Sequence, residues 1–117
     1  MQRIAPGSYQ ISEGEGFSVT IGCTGTAYLA FGSINGNDLQ FAEDVPLPIV
    51  PNMFDSAPSA NRLHLHVVYS EESTNTASYT VTVHDGNGNP VDRLVSRLVA
   101  GLDLPLVIDI DLRIRVR

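Results

Sequence analysis

Leu63-His64-Leu65-His66-Val67-Val68-Tyr69-Ser70 sets a large apolar side chain at every odd position. Side chains alternate across a strand, so this run has one apolar face and a second face carrying His64 and His66. The same period of two recurs on both sides of it. Phe17, Val19, Ile21 and Cys23 alternate with Ser18, Thr20 and Gly22, and Tyr79, Val81 and Val83 alternate with Ser78, Thr80, Thr82 and His84. Leu106, Ile108, Ile110, Leu112, Ile114 and Val116 alternate with Val107, Asp109, Asp111, Arg113, Arg115 and Arg117. A shorter strand is expected around Tyr9 and Ile11. Strands that are wet on one side imply antiparallel sheets packed through their apolar faces. The expected fold is mainly β, a single antiparallel β-sandwich over residues 1–117, jelly-roll or immunoglobulin-like, of about seven or eight strands.

Three stretches interrupt this pattern. Asn89-Pro90-Val91-Asp92 reads as an N-cap, a proline at the first helical position and an acid in the first turn. Val91, Leu94, Val95, Leu98 and Val99 follow at helical spacing before Gly101, which predicts one short helix near 90–100 in preference to a strand. Asn35-Gly36 signals a hairpin. A three-residue loop, Asn35-Gly36-Asn37, would pair Phe31 with Phe41 and Ser33 with Leu39 and so gather Leu29, Phe31, Leu39 and Phe41 on one face. That register is expected over the two-residue loop because burial selects register. Between Glu43 and Asn61, Pro46, Pro48, Pro51 and Pro58 oppose helix interiors and central strands, and the segment reads as a crossover docked by its apolar residues.

Composition narrows the function. The seven basic residues are all arginine, tryptophan is absent, and the net charge is −6. Chemistry that needs a lysine is excluded, and attraction to nucleic acid is not expected. No secretory signal and no apolar run of membrane-spanning length is visible, so no membrane insertion is expected and the compartment stays open. Cys23 is in phase with the apolar residues of its strand and reads as an inert core thiol. Asp85-Gly86-Asn87-Gly88-Asn89 reads as a turn rather than a calcium loop.

The histidines are the candidate chemistry. If consecutive strands form a hairpin in which Tyr69 faces Tyr79, His64 stands opposite His84 and His66 lies diagonal to it. Three imidazoles would then converge, with Glu71 a further candidate ligand, in a set suited to zinc, iron, nickel or copper. His64-x-His66 followed by Glu71 resembles the first metal-binding motif of the cupin family, a barrel-like jelly roll. Pro58 and Ser78 stand where that motif has glycines, and no second motif follows His84, so no further cupin property is carried over.

The C-terminal strand suggests an interface. Two antiparallel copies paired about Leu112 would set Asp111 against Arg113 and Asp109 against Arg115 in a two-fold homo-oligomer. The leading functional expectation is a non-catalytic binding or assembly module, working through loops and sheet edges and needing no cofactor. A small ligand or carbohydrate is a further candidate partner, with Tyr28 offering a stacking face. The alternative is a small metal-binding protein or metal-dependent enzyme built on His64, His66 and His84.

Overall fold

The computed structural model describes residues 1–24, 26–72, 76–99 and 106–117, and side chains for these apart from 24, 26–28, 70–72, 76–77, 97–99 and 106. It is mainly β, 68% strand, in two sheets arranged like a sandwich. Ten strands occur in chain order: β1 (Gln2–Ala5), β2 (Ser8–Ile11), β3 (Phe17–Thr24), β4 (Thr26–Ile34), β5 (Asn37–Phe41), β6 (Leu47–Ile49), β7 (Ser59–Glu72), β8 (Thr76–His84), β9 (Pro90–Val99) and β10 (Leu106–Val116). The larger sheet has the order β1-β2-β10-β7-β4-β5 and the smaller the order β6-β3-β8-β9.

The period-two runs bury the side chains that their pattern selects. Leu63, Leu65, Val67 and Tyr69 of β7 meet Val19, Ile21, Val81 and Val83 of the opposite sheet in one core, closed by Leu112, Ile114 and Val116 of β10. Cys23 is buried there as well, and burial pushes its thiol up to about 11, which keeps it protonated and unreactive. The 43–61 segment docks as expected. Ile49 is fully buried in β6, and the Phe54 ring stacks on Phe17 at 5.8 Å. Asn61, buried on β7, accepts from the Asn35 amide at 2.6 Å and from the Asp55 N–H at 3.3 Å, tying the crossover to a turn.

The strands number ten against the seven or eight expected, and β2 lies parallel to β10 where only antiparallel pairs were expected. Three further expectations are corrected. Residues 90–99 form β9, and no α-helix occurs among the described residues. The turn Asp85–Asn89 closes a hairpin, with the Asp85 carboxylate accepting from the Asn87 and Asn89 N–H groups. β9 then pairs with β8 from His84↔Pro90 to Thr76↔Val99. Proline is tolerated at its first position, and the inward Asp92 breaks the alternation that would have marked an edge strand.

The β4–β5 hairpin takes the two-residue loop. Asn35 and Gly36 both adopt positive φ, 46° and 80°, as a primed turn requires. Ala30 pairs with Phe41 and Gly32 with Leu39, so Leu29 and Phe31 turn outward. The inner face of β4 has room only for small residues there, because a Cβ on Gly32 would lie 2.3 Å from the His64 carbonyl oxygen. The third correction is that β7 and β8, consecutive in sequence, belong to different sheets and form no hairpin with each other.

Candidate functional site

Register sets a grid of side chains on the outer face of the larger sheet. β10 and β7 pair over their shared length, with Val107 opposite Val68, Asp109 opposite His66, Asp111 opposite His64 and Arg113 opposite Arg62. β4 continues three of these rows, placing Leu29 beside Val68, Phe31 beside His66 and Ser33 beside His64. The face therefore runs from an apolar row, through two histidine–aspartate rows, to arginines.

The middle rows are closed by short contacts. His64 Nδ1 lies 2.7 Å from Asp111 Oδ1 and His66 Nδ1 lies 2.5 Å from Asp109 Oδ1. An ionised carboxylate only accepts, so each imidazole donates through Nδ1–H. The His66 ring also packs on Phe31 at 5.1 Å between centroids. All four polar partners remain substantially exposed, so each pair contributes at most about 1 kcal/mol.

His84 is elsewhere. It stands on the smaller sheet opposite Ser18, with Nε2 3.4 Å from Thr20 Oγ1. Because β7 and β8 separate into two sheets, the three imidazoles do not converge. The Glu71 side chain, like that of Tyr28, lies outside the described side chains. Among the described residues no group of three or more His, Cys, Asp or Glu side chains is placed to hold a metal ion.

Ser33, His64 and Asp111 stand side by side on three strands, which brings a nucleophile, a base and an orienting acid into one row. No hydrogen bond joins Ser33 to His64 among the described residues, and the row lies on an open sheet face. Activation of a serine needs that bond and a set of donors for the oxyanion. The row as built orients the His64 imidazole through Asp111.

The aspartates of β10 have partners other than those a two-fold pairing would give them. β10 is central: β7 occupies one edge along 106–116, and β2 lies parallel along Arg113–Val116 on the other. Strand pairing between two copies about Leu112 therefore has no free edge to use. Asp109 and Asp111 face histidines instead of Arg115 and Arg113 of another chain.

The edge of β10 above β2 differs. The Arg113 N–H donates to the Gly7 carbonyl and the Arg117 N–H to the Ile11 carbonyl. Backbone groups alternate sides along a strand, so Val107, Asp109 and Asp111 turn theirs the same way. Among the described residues, no strand pairs with this side of residues 107–111. The inward side chains beneath it, Ile108 and Ile110, are only partly buried, as is Leu94 on the facing edge of β9. On the outside Val107 is 52% exposed and Leu29 64% exposed.

Sequence reasoning did not reach Leu29, Phe31, Arg62 or the open edge. The first two are lost with the wrong hairpin register, and the others need the pairing of β7 with β10. Comparison with protein-family models, with curated proteins and with solved structures found no match for this chain. Among the described residues no helix is long and apolar enough to cross a membrane.

Proposed function

We propose that this protein is a non-catalytic binding module that receives an extended segment of a partner protein along the open edge of β10. The observation that carries the reading is the run of backbone groups at Val107, Asp109 and Asp111 that no described strand pairs, set above half-buried Ile108 and Ile110. Strand addition satisfies such groups with main-chain hydrogen bonds and reads alternate side chains for specificity. An incoming strand would place its outward residues beside Asp111, Asp109 and Val107, which suits two basic residues followed by an apolar one. Its inward residues would cover Ile108, Ile110 and Leu94. Self-pairing centred on Asp109 would oppose that residue to its own copy, and pairing centred on Ile110 would oppose Asp109 to Asp111. Like charges directly opposite destabilise a sheet, so this edge suits a foreign strand better than a second copy.

The test uses a peptide that alternates apolar and arginine side chains, for which a fluorescent copy of residues 112–117 serves. Saturable binding by anisotropy is expected. Replacing the peptide's arginines with glutamate, or Val107→Pro in the protein, should weaken it at least tenfold. Equal binding of the acidic peptide, or no binding at all, rejects the reading.

A further inference from the structure

Below the histidine–aspartate rows the charge of the same face reverses. Arg113, Arg115 and Arg117 leave β10 at alternate positions, about 6.8 Å apart along the strand. Arg62 stands directly across from Arg113 on β7. All four are exposed. The 62–113 pair has the same parity as the 64–111 pair. By the alternation of backbone groups along β10, both are non-hydrogen-bonded pairs, the closer kind, with Cα atoms about 4.5 Å apart. Two like charges held in that relation weaken the sheet.

Nothing described neutralises them. Among the described residues no carboxylate lies within ion-pair distance of any of the four, while Asp109 and Asp111 are engaged by histidines and Asp92 by Arg3. Four of the chain's seven arginines thus gather in one place on a molecule of net charge −6. They line a groove of about 560 Å³, with Ser8 and Gln10 of β2 on its floor and Ile4 of β1 at its side. That volume is typical of small-molecule sites, which hold about 300–1,000 Å³.

We propose that this groove binds a small ligand bearing two or more phosphate or sulfate groups, gripped between Arg62 and Arg113 and extended along Arg115 and Arg117. Guanidinium forks match such oxyanions with paired N–H donors, and an anion between Arg62 and Arg113 turns their repulsion into a bridge. A compact ligand is favoured over a long polyanion for two reasons. The overall negative field opposes a long polyanion beyond the groove. Among the described residues the one aromatic lining the groove is Tyr9, which is fully buried with its hydroxyl committed to Asp92, so these residues offer no platform for stacking bases. The site is separate from the β10 edge above it.

Calorimetric titration of the full chain with tripolyphosphate and with sucrose octasulfate tests the proposal, the two arms separating phosphate from sulfate ligands. One-to-one binding of at least one probe is expected, with affinity falling about tenfold in each of Arg62→Gln and Arg113→Gln and less than twofold in Arg93→Gln on the other sheet. Without ligand the two groove variants should melt no lower than the parent, since each removes a like-charge contact. Binding that survives both groove substitutions, falls equally with Arg93→Gln, or is absent for both probes overturns the site. Tighter binding of a single-stranded oligonucleotide than of either probe overturns the compact ligand.

Discussion

Among the described residues the gap beside β10 is closed in its lower half and open in its upper half, and the two halves use the same strand. Below, β2 pairs with Arg113–Val116 and β1 folds back antiparallel upon it. The join to the smaller sheet is made by Asp92 of β9, which accepts from the Tyr9 hydroxyl at 2.7 Å and the Gly7 N–H at 3.2 Å and pairs with Arg3 Nε at 3.2 Å. The N-terminal ammonium contributes a second tie, to Glu15. Above, β2 has ended and the edges of β9 and β10 carry half-buried apolar residues. Stability is concentrated where the hairpin closes the gap, and the described backbone is left without a paired strand where it stops.

Two prolines on one side of β10 give the strongest test of this contrast. Arg115→Pro sits against β2 and should cost about 3 kcal/mol or more, because it removes a ladder donor. Val107→Pro, on the same side of the strand but above β2, should cost less than about 1 kcal/mol. Equal costs in urea unfolding would mean that the upper edge is not open. Next in size is Asp92→Ala, which strands the buried Tyr9 hydroxyl and the Gly7 N–H and should cost about 2–3 kcal/mol by the same measurement. A loss under about 0.5 kcal/mol would show that the lower closure does not depend on this carboxylate.

The smallest effect is one of pH. Burial alone would raise Asp92, but the Tyr9 hydroxyl, the Gly7 and Arg93 N–H groups and the Arg3 guanidinium outweigh it and hold the carboxyl below its ordinary value. Glu15 is held low in the same way: burial opposes, and the N-terminal ammonium and the Ser12 N–H prevail. A carboxyl depressed on folding stabilises the native state above its unfolded pKa, and that stability is lost as pH falls toward the folded one. Stability should therefore decline below about pH 4, and Asp92→Asn should flatten the decline. An unchanged slope in that variant would assign acid sensitivity elsewhere.

The faces of the strands were legible in the sequence, and their partners were not. The apolar inward residues of β3 from Phe17 to Cys23, of β7 from Leu63 to Tyr69 and of β8 from Tyr79 to Val83 can be read from alternation, because burial on one side of a pleated strand leaves that mark. Alternation is silent about neighbours, and consecutive strands are joined by default into a hairpin, which brought His84 toward His64 in error. A better guide lay in the charges: His64-x-His66 and Asp109-x-Asp111 match when read antiparallel, and that match places Arg62 against Arg113. The β4–β5 register failed for a related reason. Gathering the large side chains inward is sound where space exists, but at Gly32 the neighbouring strand's carbonyl fills it, and Leu29 and Phe31 point outward. Residues 90–99 mimic a helix because an edge strand with an inward aspartate has no clean period. The candidate site was visible as isolated residues, and its arrangement appeared only with the register.

The central place of β10 has a consequence for how the chain reaches its fold. Of the described strands it is the last to leave the ribosome, yet it is the piece that joins β2 to β7. Until residues 106–116 emerge, the larger sheet exists only as two halves with bare flanks, and sequence-distant partners must wait for each other. Assembly of this sheet therefore waits for β10, and nascent chains stalled before it are the ones that chaperones should meet.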